Sequence, residues 1–168
     1  MNENKITVDL SNLSEDERKQ LLALIEKANE PKSTAWKPVN GDRYFSIDCA
    51  GLLIDTRWDN DDFDLKRFNL GNCFKTEDEA NFAAERLKVI AELKRFAEEH
   101  NPVDFDRNEY GVDNCYLYYD QSNKCVIVAY NKYGFNSEAI FANPDVAKAA
   151  IQKVGEERLK KYYFKIPE

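Results

Sequence analysis

Four aspartates fall within seven positions where the chain reads Trp58-Asp59-Asn60-Asp61-Asp62-Phe63-Asp64. Carboxylates at that density are hard oxygen ligands. Asp59, Asp61 and Asp64 are the set that could hold a divalent cation for hydrolysis. A calcium loop starting at Asp59 would need glycine at its sixth position and glutamate at its twelfth. The chain has Asp64 and Leu70 there. Two other readings fit the same residues. One is an acidic patch for a basic partner, with Asp59, Asp61, Asp62 and Asp64 supplying charge and Trp58 and Phe63 the apolar anchors. The other is a solvated turn with Trp58 packed inward.

Aromatic residues are the second candidate. Tyr44-Phe45 and Tyr116-Leu117-Tyr118-Tyr119 lie in strand-like runs. Exposed Tyr44, Tyr116 and Tyr118 could stack bases or a nucleotide, as sheet-based single-strand binders do. Alternate strand residues point to opposite faces, so about half of any such run is core whatever the function. Basic neighbours are few, among them Arg43, Arg57, Lys66, Arg67, Lys124 and Lys132.

Other reactive types stand apart. His100 is the sole histidine and falls at a helix end, with no nucleophile fixed beside it. Cys73 would need a nearby base, and no second histidine exists to serve. Asp104 and Asp106 form an acidic pair of a kind common in loops. Cys49, Cys73, Cys115 and Cys125 are widely spaced and make no C-x-x-C pair, so neither zinc nor a disulfide framework is indicated. No catalytic motif is found, and no metal or other cofactor is expected.

The elements that must hold these residues follow from periodicity and caps. A strand over 6–10 precedes a helix opened by Ser14 with Glu17, burying Leu21, Leu22, Leu24, Ile25 and Ala28. Strands over 43–48 and 52–58 form a hairpin, and a third strand covers 68–74. Thr76 with Glu79 caps a long helix to about Glu99. Ala80, Ala83, Ala84, Leu87, Ile90 and Ala91 lie on one side of it, and Phe82, Val89, Leu93, Phe96 and Ala97 widen the stripe. A polar connection over 103–114 leads to strands over 116–119 and 125–130. Asn143-Pro144 then starts a helix carrying Val146, Ala147, Ala150, Ile151 and Val154. Tyr162-Tyr163-Phe164 reads as an aromatic strand or docking segment.

The order recurs. Phe74 aligns with Phe141, the cap Thr76 with Asn143, and Ala80 with Ala147. The expected fold is α+β with mainly antiparallel sheet, a duplicated strand-hairpin-strand-helix unit. Its divisions are an N-terminal extension over 1–34, a first repeat over 35–101 and a second over 102–168. The halves are expected either to share one sheet or to pack helix on helix.

Composition narrows the function. The chain has 168 residues, 43% of them apolar, with nine Tyr, ten Phe and two Trp, which suits a packed domain. A net charge of −7 disfavours loose binding to nucleic acid or anionic lipid and is compatible with a basic partner. With no long apolar run and no signal-like N-terminus, the expected location is the cytoplasm, as monomer or homodimer.

Several stretches carry a resemblance: Ile6-Thr7-Val8-Asp9-Leu10-Ser11 with Leu13-Ser14-Glu15, Trp36-Lys37-Pro38 with Gly41 and Tyr44, Gly71-Asn72-Cys73-Phe74-Lys75-Thr76, and Gly155-Glu156-Glu157-Arg158-Leu159-Lys160-Lys161-Tyr162-Tyr163-Phe164. Together they resemble small uncharacterised accessory proteins carried by phages and prophages of Firmicutes. The resemblance implies a protein of viral origin acting inside a bacterial host, of the kind that binds and disables a defence component, anti-CRISPR proteins among them. The expectation is therefore a non-enzymatic inhibitor of a host protein. A nucleic-acid or nucleotide-binding module and a metal-dependent hydrolase or nuclease are the alternatives.

Overall fold

The computed structural model describes residues 13–29, 36–109, 111–132 and 137–167. The strand expected over 6–10 lies outside them. Two compact units are present, residues 1–37 and 38–168. In the first, helix α1 (Glu15–Asn29) opens as its cap predicts. Ser14 N–H donates to Glu17 Oε2 at 2.8 Å, and Glu17 N–H reaches Ser14 Oγ at 3.4 Å. The expected burial is not met: Leu22, Leu24 and Ile25 are exposed.

The second unit begins with strands β1 (Arg43–Ile47) and β2 (Leu53–Arg57), an antiparallel hairpin with Tyr44 opposite Thr56. Helix α2 (Asp62–Asn69) follows, where the sequence reading placed an acidic loop and the start of a third strand. The reason is local. Asp61 accepts the Asp64 amide as N-cap, acids occupy the first turn and Lys66 and Arg67 the last, matching the helix dipole at both ends. Of the expected strand only Phe74 pairs. It exchanges two backbone hydrogen bonds with Phe45, both 2.9 Å.

Helix α3 (Glu77–His100) starts from a complete capping box. Strands β3 (Asn114–Asp120) and β4 (Cys125–Asn131) form the second hairpin, and β3 is bridged at Cys115 by Phe141 at 2.9 and 2.8 Å. Helix α4 (Pro144–Val154) is capped by Asn143. Thus each hairpin's first strand is bridged by a phenylalanine that leads, two residues later, into an N-cap. Ala80 and Ala147 are both fully buried one turn on. The halves also differ: α3 has 24 residues and α4 has 11, and α2 sits in the first half.

A short helix α5 (Glu156–Arg158) and a π-type turn (Leu159–Tyr163) follow; of the two readings of Tyr162-Tyr163-Phe164 the strand is not met, and the three rings pack against the core as a docking segment would. Leu159 is fully buried and Arg158 forks onto Glu92 of α3 at 2.9 and 3.2 Å. The two sheets stay separate, and α3 packs against α4 and the π-type turn. Among the described residues a core cluster is built from Val89, Leu93 and Ala97 of α3, Cys115 and Leu117 of β3, Phe141, and Ala147, Ala150 and Val154 of α4. The architecture is α+β.

Candidate binding surface

Strand alternation sends Tyr44 and Ser46 inward from β1. The Tyr44 hydroxyl donates to Asp64 Oδ1 at 2.6 Å and accepts from Arg67 Nη1 at 2.9 Å. Asp64 Oδ2 also accepts the Asp59 amide at 2.7 Å. Trp58, 2% exposed, meets Tyr44 and Phe68 edge-on at 5.9 and 6.1 Å between ring centres. The residues therefore lock the acidic segment to the hairpin from beneath.

Electrostatics follow from this geometry. Burial works to raise the Asp64 carboxyl. Hydrogen bonds from Tyr44 and from the amides of Asp59, Asp61 and Asn60 outweigh it and hold the group below its ordinary value. Burial, and then the Asp64 contact, push the Tyr44 phenol up to about 12.

The predicted partner patch thus divides in two. Trp58 and Asp64, the latter 3% exposed, are structural and offer nothing to a partner. Asp59, Asp61, Asp62 and Phe63 are exposed, Phe63 by 67%, with Lys66 Nζ 5.8 Å from its ring centre. Asn60, at φ 59°, makes the left-handed turn between Asp59 and the cap Asp61, a conformation asparagine tolerates. The carboxylates proposed for a metal do not converge. Asp64 faces inward and Asp61 caps α2. Among the described residues no three His, Cys, Asp or Glu side chains gather as ligands.

The stacking candidates are dispersed as well. Tyr44 is wholly buried. Tyr116 and Tyr118 share the other face of β3, opposite Ala129 and Ile127 of β4, with Tyr116 half-buried and Tyr118 51% exposed. The remaining candidates are quiet. His100 stacks on Phe96 at 3.9 Å. Burial, aided by Asp64, raises the Cys73 thiol and keeps it protonated, the wrong state for a nucleophile. Asp106 accepts the Asn108 amide in a local turn.

A groove that sequence reasoning missed lies between the end of β1, the turn after α2 and the first half of α3. Its volume is about 880 Å³, and Ile47, Leu70, Phe74, Phe82 and Leu87 form its apolar wall. Leu87, read from periodicity as core, is 58% exposed, and Leu70 is 82% exposed. The one sequence signal was an α3 stripe too wide for a single partner.

No family model matches the sequence, and neither a curated protein nor a solved structure does.

Proposed function

We propose that this chain is a non-enzymatic binding protein that captures a basic protein through the shoulder formed by Asp59, Asp61, Asp62 and Phe63. The observation that carries this reading is the mount. Three exposed carboxylates and an exposed ring sit on a segment fixed by the buried Asp64–Tyr44–Arg67 chain. A fixed epitope loses little conformational freedom on binding, and an exposed aromatic side chain can serve as the apolar anchor around which such an interface closes. The net charge of −7 favours encounter with a basic surface. The resemblance to phage-carried accessory proteins gives the partner its class: a host protein, with a nucleic-acid-binding defence effector such as a CRISPR nuclease first to test. Inhibition would follow from occupying that effector's basic site.

Native mass spectrometry on the tagged chain, drawn gently from a bacterial host, tests this. The expected result is a stable complex with a basic host protein that is lost in the combined variant Asp59→Asn, Asp62→Asn, Phe63→Ala. Loss of Phe63 alone is expected to cost about 2 kcal/mol of binding. A complex that survives the combined variant unweakened would rule the shoulder out. Co-purifying nucleotide, RNA or DNA would move the site to Tyr116 and Tyr118.

A further inference from the structure

The second hairpin has one edge that the fold leaves open. Cys115 exchanges both its backbone hydrogen bonds with Phe141, so its N–H and C=O point away from β4. Opposed residues in an antiparallel ladder alternate between bonded and unbonded pairs. Cys115 lies opposite Tyr130, Leu117 opposite Val128 and Tyr119 opposite Val126. These are therefore the unbonded pairs, and Val126, Val128 and Tyr130 turn their N–H and C=O outward from β4. The Val126 amide agrees: it donates to Glu156 Oε1 at 3.1 Å, outside the ladder. Among the described residues the outward groups of Val128 and Tyr130 have no partner.

The same edge is undefended. β4 has no charged residue, no proline and no glycine, in a chain that is 33% charged. The second strand of the other hairpin, β2, carries Asp55 and Arg57. Charge along an edge is a common device against stray pairing. Beside β4 runs a groove of about 470 Å³ whose walls include Val126, Val128, Tyr130, Pro144 and Ile151. Tyr130 shares the core-facing side of the hairpin with the buried Cys115 and Leu117, yet is 69% exposed.

We propose that β4 pairs antiparallel with β4 of a second copy across a two-fold axis at Ala129, joining the two hairpins into one sheet. An edge strand is its own complement in such an isologous contact. In this register Val128 lies opposite the partner's Tyr130. The two residues with open backbone groups satisfy one another, and the Tyr130 ring packs on the partner's Val128 over the groove. Aromatic and β-branched residues make favourable cross-strand pairs. Charge matches as well. Val126 falls opposite the partner's Lys132, which brings that ammonium to Glu156, the carboxylate on the Val126 amide that also meets Lys160 at 3.1 Å. The contact Lys132 makes in its own chain, to Asp113 at 4.0 Å, joins two side chains more than half exposed and is weak. An axis at Val128 would instead set Lys124 against the partner's Lys132, like against like.

Sedimentation velocity on the full chain from about 1 μM to about 1 mM gives the state. Amide hydrogen exchange over the same range gives the place. A monomer–dimer equilibrium is expected, with exchange at Val128 and Tyr130 slowing as concentration rises. Tyr130→Pro removes an N–H that the single chain does not use, at an edge where proline is tolerated. It is expected to weaken the dimer at least about tenfold. Lys132→Glu is expected to weaken it severalfold by setting two carboxylates together. A chain that stays monomeric throughout, a dimer that either variant leaves unweakened, or protection that gathers elsewhere, such as at Leu22 and Leu24 of α1, overturns the proposal. If Tyr130→Pro fails to fold, Lys132→Glu and the exchange of the unaltered chain decide. Protection of Val128 and Tyr130 that arises only with a different protein would put that protein's strand on the edge and likewise overturn it.

Discussion

At the scale of single residues, Tyr44 carries more than its area. It joins Arg67 on α2 to Asp64 in the same helix and touches Trp58, so one hydroxyl ties β1 to the acidic segment. Tyr44→Phe keeps the ring and removes the donor to a buried carboxylate. The expected loss is about 1–3 kcal/mol in urea unfolding. Asp64 gives the matching pH effect. Its folded-state value lies below the ordinary 3.8. Its contribution is therefore full above that value and is lost as pH falls through the lowered one. Asp64→Asn should flatten the fall in stability below about pH 4 relative to the unaltered chain, measured as melting temperature against pH. An equally steep acid limb in the variant would show that other carboxylates set it.

Elements owe their ends to caps and their placement to contacts across the chain. The boxes at Ser14 and Thr76, and Asn143 before Pro144, are written in sequence and found in place. At the C-terminal end Gly155, φ 93° and ψ 129°, separates α4 from α5. That corner lets Leu159 enter the core and Arg158 reach Glu92. A side chain at this φ is strained although no neighbouring atom would clash with it. Gly155→Ala is expected to cost about 1–3 kcal/mol in denaturant unfolding. An unchanged midpoint would show that the corner relaxes freely. The element that sequence reading lost is α2. Its acidic run fits a loop by composition, and the Asp61–Asp64 cap together with Lys66 and Arg67 in the last turn distinguishes it as a helix.

For the whole molecule, charge sets how association responds to solution conditions. With a net charge of −7 and Asp59, Asp61 and Asp62 exposed, the proposed capture of a basic partner by the shoulder is expected to be salt-sensitive. Raising ionic strength from about 0.05 to 0.5 M should slow association with a basic partner at least severalfold while changing dissociation less. Surface-based kinetics at several salt concentrations would read this directly. A salt-independent on-rate would mean that the apolar contact of Phe63, not the carboxylates, governs encounter.

Local patterning is enough to read the α+β class, both hairpins, the long helix with its cap, and the Phe–x–cap junction at 74 and 141. These rest on period-2 and period-3.6 patterning and on bonds within a few residues. Which aromatic and acidic residues face water depends on long-range packing. Trp58 and Asp64 went inward while Phe63, one position away from Asp64, stayed out. Leu87 belonged to a helical stripe but found no cover. Helical and strand periodicity say which residues share a face. They do not say whether another element packs there, because that depends on partners distant in the chain, such as Tyr44 for Asp64, twenty positions away.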